Sequence, residues 1–241
     1  MWRTTNLENA LADHGDLAMP PVVTEIRTPA EALQAEADPS IHWLRELREM
    51  RGRVFYYEGC RNPAFLSANG IFSDPDPFDL RTHHVLIRIP QRIVACARVS
   101  PLDWSKPGFI STILGKGKFD GILSDLGTPP ELSCEGSRWA VVPDFRNQGL
   151  GPRVIATSWA LARSLGMHTC FVLACTRHGQ DQLLCRMGAQ PVNGVATLPA
   201  AGVINGEHRL LRFNIDPPKV IRKKFERAML MLGISIVFPE A

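Results

Sequence analysis

The chain has 241 residues, of which 45% are hydrophobic and 21% charged, with a formal net charge of +3. This length and composition suit one large domain with a buried core and exclude a wholly disordered chain. The mild charge argues against a nucleic-acid partner, no apolar run approaches the ~20 residues of a membrane helix, and the opening MWRTTNLENALADHG lacks the apolar stretch of a signal peptide, so a cytoplasmic protein is expected.

Residues 1–40 show no sustained period and read as a loosely ordered arm with a short helix at 29–37. In 41–55 the apolar positions Leu44, Leu47, Met50 and Val54 recur at helical spacing. Residues 59–78 are loop-like, with Asn69-Gly70 and the run Asp74-Pro75-Asp76-Pro77. Residues 84–89 and 92–99 form a predicted hairpin around Pro90-Gln91. Residues 101–130 are Gly- and Pro-rich, with an apolar stripe at Phe119, Ile122, Leu123 and Leu126. A strand at 131–142 leads to a helix at 152–165, a buried-type strand at 170–175 and a helix at 180–187 closed by Gly188. Further strands are expected within 190–215, then a basic amphipathic helix at 220–232 and a short strand at 234–238. The chain thus divides into an arm (1–40), a mixed α/β domain (41–215) and a basic tail (216–241).

Six cysteines, at 60, 96, 134, 170, 175 and 185, include no CxxC pair, and several sit in apolar runs, so reduced, buried thiols are expected. The seven histidines show no metal-ligand spacing, and neighbours such as His83 and His84 on one strand face opposite ways, so no metal site is expected.

The strongest local signal lies between the strand at 131–142 and the following helix. There Arg146-Asn147-Gln148-Gly149-Leu150-Gly151 forms R-x-x-G-x-G. Glycines let the backbone approach a ligand closely, and a helix N-terminus offers unpaired N–H groups to a phosphate. The motif is neither a Walker loop nor a dinucleotide fingerprint.

This pattern resembles the pyrophosphate-binding loop of the GNAT acyltransferases. The segment Leu184-Cys185-Arg186-Met187-Gly188-Ala189 is similar to their late helix with its Y-x-x-x-G-F ending, except that Leu184 replaces the tyrosine that protonates a departing thiolate. Five upstream blocks resemble the acyl-homoserine lactone synthases and the related N-acyl amino acid synthases. They are Arg51-x-x-Val54-Phe55, Asp76-Pro77-Phe78-Asp79, the run from Ile93 through Arg98 to Pro101, Ser111 to Leu123 with Phe119, and Cys134-Glu135-Gly136-Ser137-Arg138-Trp139-Ala140-Val141. The aromatic those families carry shortly after the first block is absent.

The resemblance implies an α/β, GNAT-like three-layer fold, with a central, mixed but mostly antiparallel sheet splayed at the donor site and flanked by helices. It implies transfer of an acyl chain from an acyl carrier protein or acyl-CoA to the amine of an amino-acid-type acceptor, by direct attack and with no permanently bound cofactor. Glu135 and Ser137 are the expected catalytic residues. Arg51, Phe55, Asp76, Asp79, Arg98, Arg138 and Trp139 are expected to bind the acceptor. Val141, Val142, Arg146, Asn147, Gln148, Gly149, Leu150 and Gly151 are expected to bind the donor's phosphopantetheine or coenzyme A. Strict alternation places Glu135, Ser137 and Trp139 on one face of their strand and Gly136 and Arg138 on the other, unless a bulge intervenes. Arg51 and Arg98 could pair with Asp76 and Asp79; on helical spacing alone Arg51 would lie on a solvated face, whereas Arg98, ending an apolar strand, needs a buried partner. The tail residues Lys219, Arg222, Lys223, Lys224 and Arg227 would suit docking of an acidic carrier protein. Two other functions fit parts of the sequence: a general acetyltransferase using acetyl-CoA, and a non-catalytic module that senses acyl thioesters.

Overall fold

The structure, a computed structural model, describes residues 21–58, 61–103, 105–199 and 207–215. An eight-stranded sheet runs through it. The strands are β1 (Val23–Arg27), β2 (His83–Ile89), β3 (Arg92–Pro101), β4 (Ser133–Val141), β5 (Thr169–Cys175), β6 (Gln190–Pro191), β7 (Leu198–Pro199) and β8 (Glu207–Asn214). Their order is β1-β2-β3-β4-β5-β8-β6, with β7 also on β8. Only the β4–β5 pair is parallel, and the helix that joins these two strands makes that crossover possible.

Among the described residues six α-helices cover the sheet: α1 (Pro29–Ala37), α2 (Trp43–Glu58), α3 (Phe109–Leu114), α4 (Lys116–Asp125), α5 (Leu150–Ser164) and α6 (Gln180–Arg186). On one face, α1 and α2 bury Ala32, Trp43, Leu44, Leu47 and Val54 against Leu86, Ile93, Cys96 and Ala140. Beside them α3 and α4 bury Ile110, Phe119 and Leu123 against Phe171 and Leu210. On the opposite face α5 sets Leu150 and Val154 on Ile87, Val94, Ala95 and Ala97, while Leu184 of α6 packs on Ala174 and Leu211. The result is the expected three-layer α/β arrangement.

The segment read as an arm is built into this frame. Residues 23–27 pair with 84–88 of β2 as the sheet's edge strand. Thr28 then caps α1 in a reciprocal capping box with Glu31, with Pro29 in the first turn. The helix read over 41–55 runs on to Glu58. The strand read from Glu131 begins at Ser133, because Pro130–Leu132 forms a 3-10 turn. The helix read from Pro152 begins two residues earlier, at Leu150. The basic helix and last strand expected after residue 216 lie outside the described residues, as do Lys219, Arg222, Lys223, Lys224 and Arg227. Cys96, Cys134, Cys170, Cys175 and Cys185 are free thiols. No described helix is long and apolar enough to cross a membrane.

Candidate active site

Strand β4 is the spine of the site, and two irregularities shape it. First, its parallel ladder with β5 runs only from Ser133–Thr169 to Gly136–Val172, although both strands continue further. Beyond Gly136 the strands splay and leave the β5-facing edge of 137–141 unpaired. At the last paired position a Cβ on Gly136 would stand 2.8 Å from Val172 Cγ1, so any larger residue would force the Val172 side chain or the strand aside.

The second irregularity is a bulge. Arg98 of β3 faces Ser137 and Cys96 faces Ala140, so two residues of β4, Arg138 and Trp139, oppose the single residue Ala97. Arg138 takes the left-handed conformation, with φ of 53°. The bulge corrects the strict alternation expected from sequence. Ser137 and Arg138 both reach the face covered by α2, whereas Trp139 turns to the α5 face, beside Val141. Trp139 there lies against Gly151, whose Cβ would stand 3.1 Å from the indole.

On the α2 face, four arginines meet three aspartates. Arg51 is fully buried, not solvated as its helical spacing alone suggested. It donates from Nη1 and Nη2 to the two carboxylate oxygens of Asp79, at 2.8 and 2.6 Å, and its Nε lies 2.9 Å from Asp74 Oδ2. Arg98 finds the buried partners its position required: it donates to Asp79 Oδ1 at 3.0 Å, to Asp76 Oδ2 at 3.1 Å and to Ser137 Oγ at 3.2 Å. Arg138 ion-pairs with Asp76 at 2.6 Å and Asp74 at 3.2 Å. Arg48 donates to Asp79 Oδ2 at 3.2 Å and to Glu36 at 2.6 Å. His84, buried on β2, donates its Nε2 hydrogen to the Asp79 carbonyl at 2.8 Å.

Such a cluster exists only because its members compensate one another. Burial opposes the charge of Asp79, but the Arg51 hydrogen bonds and the charges of Arg51 and Arg98 outweigh it and hold the carboxyl well below the usual range. Burial likewise opposes the Asp76 charge, and Arg98 and Arg138 reverse the balance. Burial pushes the His84 pKa down to about 4, so the ring is neutral.

Arg138 and Arg48 are the partly open members of the cluster, their side chains 21% and 17% exposed. The Arg138 guanidinium lies between the rings of Phe55 and Phe109, 5.6 and 5.4 Å from their centroids. The expected acceptor residues Arg51, Phe55, Asp76, Asp79, Arg98 and Arg138 are therefore brought together, and Trp139 is not among them. Asp74 and Arg48 were missed. The repeated aspartates of Asp74-Pro75-Asp76-Pro77-Phe78-Asp79 were the available signal for Asp74; nothing in the sequence marked Arg48.

Glu135 is buried on the same face as Ser137, but no arginine holds it. Its Oε2 accepts from Phe109 N–H at 2.7 Å and its Oε1 from Ile110 N–H at 2.9 Å, so the carboxylate caps α3. A Cβ on Gly108 would stand 2.4 Å from Oε1, which explains a glycine there. Burial raises the Glu135 carboxyl above its ordinary pKa, with the Ile110 and Phe109 amides pulling the other way.

At the far end of β4 the chain makes a 3-10 turn, Pro143–Phe145, and then the turn that opens α5. Asn147 and Gly149 adopt positive φ, 62° and 78°. No described side chain caps α5; in its first turn Leu150 and Gly151 carry N–H groups and Pro152 has none to offer. Gln148 bonds the Asp144 carbonyl and stiffens the turn. Arg146 pairs with Glu58 at the end of α2 and donates to the Val141 carbonyl at 3.2 Å from Nε. Val141 and Val142 line the same end, packed beside Ala95 and Ala140 respectively. Leu184, where the resemblance anticipated a tyrosine, is a core residue of α6.

Residues 50–156 match the family model of the acetyltransferase (GNAT) domain. Among solved structures, the chain is similar to the CoA-dependent acyl-homoserine lactone synthase BjaI bound to MTA, with 18% identity and a TM-score of 0.64 over 90% of this chain and 92% of that one. It is similar to the AHL synthase LasI, with 16% identity and a TM-score of 0.59 over 92% and 100% of the two chains. It is also similar to TofI in complex with an inhibitor and MTA, with 19% identity and a TM-score of 0.56 over 90% and 98%. At these identities the likeness is one of fold. No curated protein sequence matches the chain.

Proposed function

Since the chain carries a GNAT-type acyltransferase domain in the fold of the acyl-homoserine lactone synthases, we propose that it transfers an acyl chain from a thioester to the amine of an amino-acid-type acceptor. The observation that carries this reading is the meeting, along one strand, of an unpaired edge at 137–141 and a buried arginine–aspartate cluster whose member on that strand, Arg138, is partly open. An open strand edge can bond the amide groups of a pantetheine arm, and a free N–H there can polarise the thioester carbonyl. The uncapped start of α5, with its glycines, suits the donor phosphate. In this reading Arg146 braces the turn through Glu58 and Val141 while the backbone meets the phosphate.

On the α2 side, Arg138 between Phe55 and Phe109 presents a cation to the acceptor's carboxylate, and Asp76 and Asp74 behind it favour an ammonium nearby. Arg51, Arg98 and Asp79 hold those groups rigidly. Ser137, held by Arg98, stands beside the open edge. The acceptor nitrogen attacks the carbonyl directly, with no enzyme-bound acyl group. Glu135, its basicity raised by burial, draws off the first ammonium proton through water. Acyl-CoA and acyl carrier protein are both candidate donors, with the basic tail as the docking surface for the second. Where the acceptor is S-adenosylmethionine, lactone closure follows; where it is a free amino acid, an N-acyl amino acid results.

Thiol release, measured with acyl-CoA and acyl carrier protein donors of graded chain length against S-adenosylmethionine and amino acids, tests the reading. Turnover of a medium or long chain with one of these acceptors is the expected result. Turnover of acetyl-CoA alone would favour a general acetyltransferase, and binding without turnover would favour a sensor.

A further inference from the structure

Transfer of an acyl group to an ammonium removes two protons from nitrogen, one before attack and one as the tetrahedral adduct collapses. Sulfur leaves as a thiolate and accepts a proton best when one is delivered to it. Of the residues described so far, only Ser137, whose oxygen accepts from Arg98 Nε, carries a proton that could reach sulfur, and no other supplies this second transfer. Leu184 is buried among Ala174, Ala189 and Leu211, and both oxygens of Glu135 already accept hydrogen bonds from α3.

His208 stands where such a group is needed. On β8 it faces Cys175 of β5 and Leu198 of β7. Its alternation partners on β8, Leu210 and Arg212, face Leu173 and Phe171. Phe171 in turn faces Glu135, and Phe171 and Leu210 pack under α3 and α4. His208 therefore projects on the same side of the sheet as Glu135 and Ser137. It sits at the level of Cys175, three residues beyond the point where the β4–β5 ladder ends. The imidazole thus stands on β8, one strand beyond β5, on the sheet face that also carries Arg138, whose charge adds to burial in lowering its pKa. Its Nδ1 is buried and has no hydrogen-bond partner among the described residues. An unsatisfied buried nitrogen costs on the order of 1–3 kcal/mol, which invites a functional explanation.

We propose that His208 carries the second proton from the adduct nitrogen to the departing sulfur. The C–N bond has formed by then. As the C–S bond breaks, its electron pair leaves with sulfur, Nδ1 takes the proton from nitrogen and delivers it to the thiolate, and the ring ends neutral as it began. Burial, and then Arg138, lower the His208 pKa, so the resting ring is free to accept. Among the described residues, the charged or titratable groups on its side of the sheet are Arg138 from β4 and the Cys175 thiol from β5. This step rests on the acyl-transfer reading above.

The test compares donors with poor and good leaving groups. His208→Gln should lower kcat/KM for an acyl-CoA by about 10²-fold or more, but by under about tenfold for an S-aryl thioester of the same acyl chain, whose thiolate leaves without help. His208→Asn should show the same ratio if the longer amide disturbs folding, with thermal melting as the check. Free imidazole should raise the rate of His208→Gly. Equal fractional losses with both donors, or a His208→Gly enzyme that imidazole leaves unchanged, would overturn the proposal while leaving acyl transfer standing. Absence of turnover by the native protein would remove both.

Discussion

On the α2 face of β4 the chain packs four arginines against three aspartates. At the strand's far end, where α5 begins, it places glycines, a proline and no capping side chain. The first region is specified by side-chain charge and is nearly sealed from water. The second is specified by backbone conformation and stays open. A site that must recognise a small charged acceptor needs fixed charges, and fixed charges must be buried and paired to stay fixed. A site that meets a phosphate through backbone amides needs no side chain there, only the absence of Cβ atoms and caps.

The contrast is broken most severely by Asp79→Ala. That change leaves Arg51, Arg98 and Arg48 without their shared carboxylate, and a stability loss of about 3–5 kcal/mol is expected in urea denaturation. A loss near that of a surface substitution would show the cluster to be solvated. Acid attacks the same region. The His84 pKa in the folded protein is about 4 against an ordinary 6.5, so the folded state binds fewer protons between those values. Its contribution is intact above pH 6.5 and is lost as pH falls to about 4, on the order of 3 kcal/mol in all. Glu135, raised above its ordinary value, works in the opposite sense. Denaturation curves at pH 7 and pH 4.5 should differ, and His84→Phe should flatten the difference.

Smaller effects sharpen the boundary between the two regions. Glu135→Gln exchanges one acceptor oxygen for an NH2 group that cannot receive the α3 amides, costing about 1–3 kcal/mol. Thiol release should slow while donor binding, followed by calorimetry, stays near native. Unchanged turnover would confine Glu135 to holding α3. Gly149→Ala forces a side chain into a φ of 78°, a penalty of about 1–2 kcal/mol. Its kinetic signature should be a raised KM for the donor with the acceptor KM unmoved; a change in the acceptor KM would join the two regions into one.

The sequence made the framework of this site legible where the signal was local. The first helix was read at its observed bounds because Pro29 and Glu31 mark its first turn. The turn Arg146–Gly151 was placed because glycines punctuate a strand and a helix. Edge strand β1 was not legible, since residues 23–27 gain their order only by pairing with β2, some sixty residues later. Arg51 looked like a surface residue because its partners, Asp74 and Asp79, come from a loop that periodicity cannot position. The pairing of Arg51 and Arg98 with Asp79 and Asp76 was legible as a possibility, but the entry of Arg138 into the cluster depended on the β4 bulge. His208 escaped notice because residues 190–215 were read only as further strands, without register.

The bulge at Arg138 also inverts the parity of β4. Before it, even-numbered Gly136 lies toward α5; after it, even-numbered Ala140 lies toward α2 and odd-numbered Trp139 toward α5. Had the same residues kept strict alternation, the indole would enter the ion cluster and Ala140 would lie under α5. Deleting Arg138 would instead restore a regular ladder, with Trp139 opposite Ala97 and Ala140 still opposite Cys96. The bulge thus inserts one cation into the acceptor face while leaving the rest of the strand on the faces a plain ladder would give it.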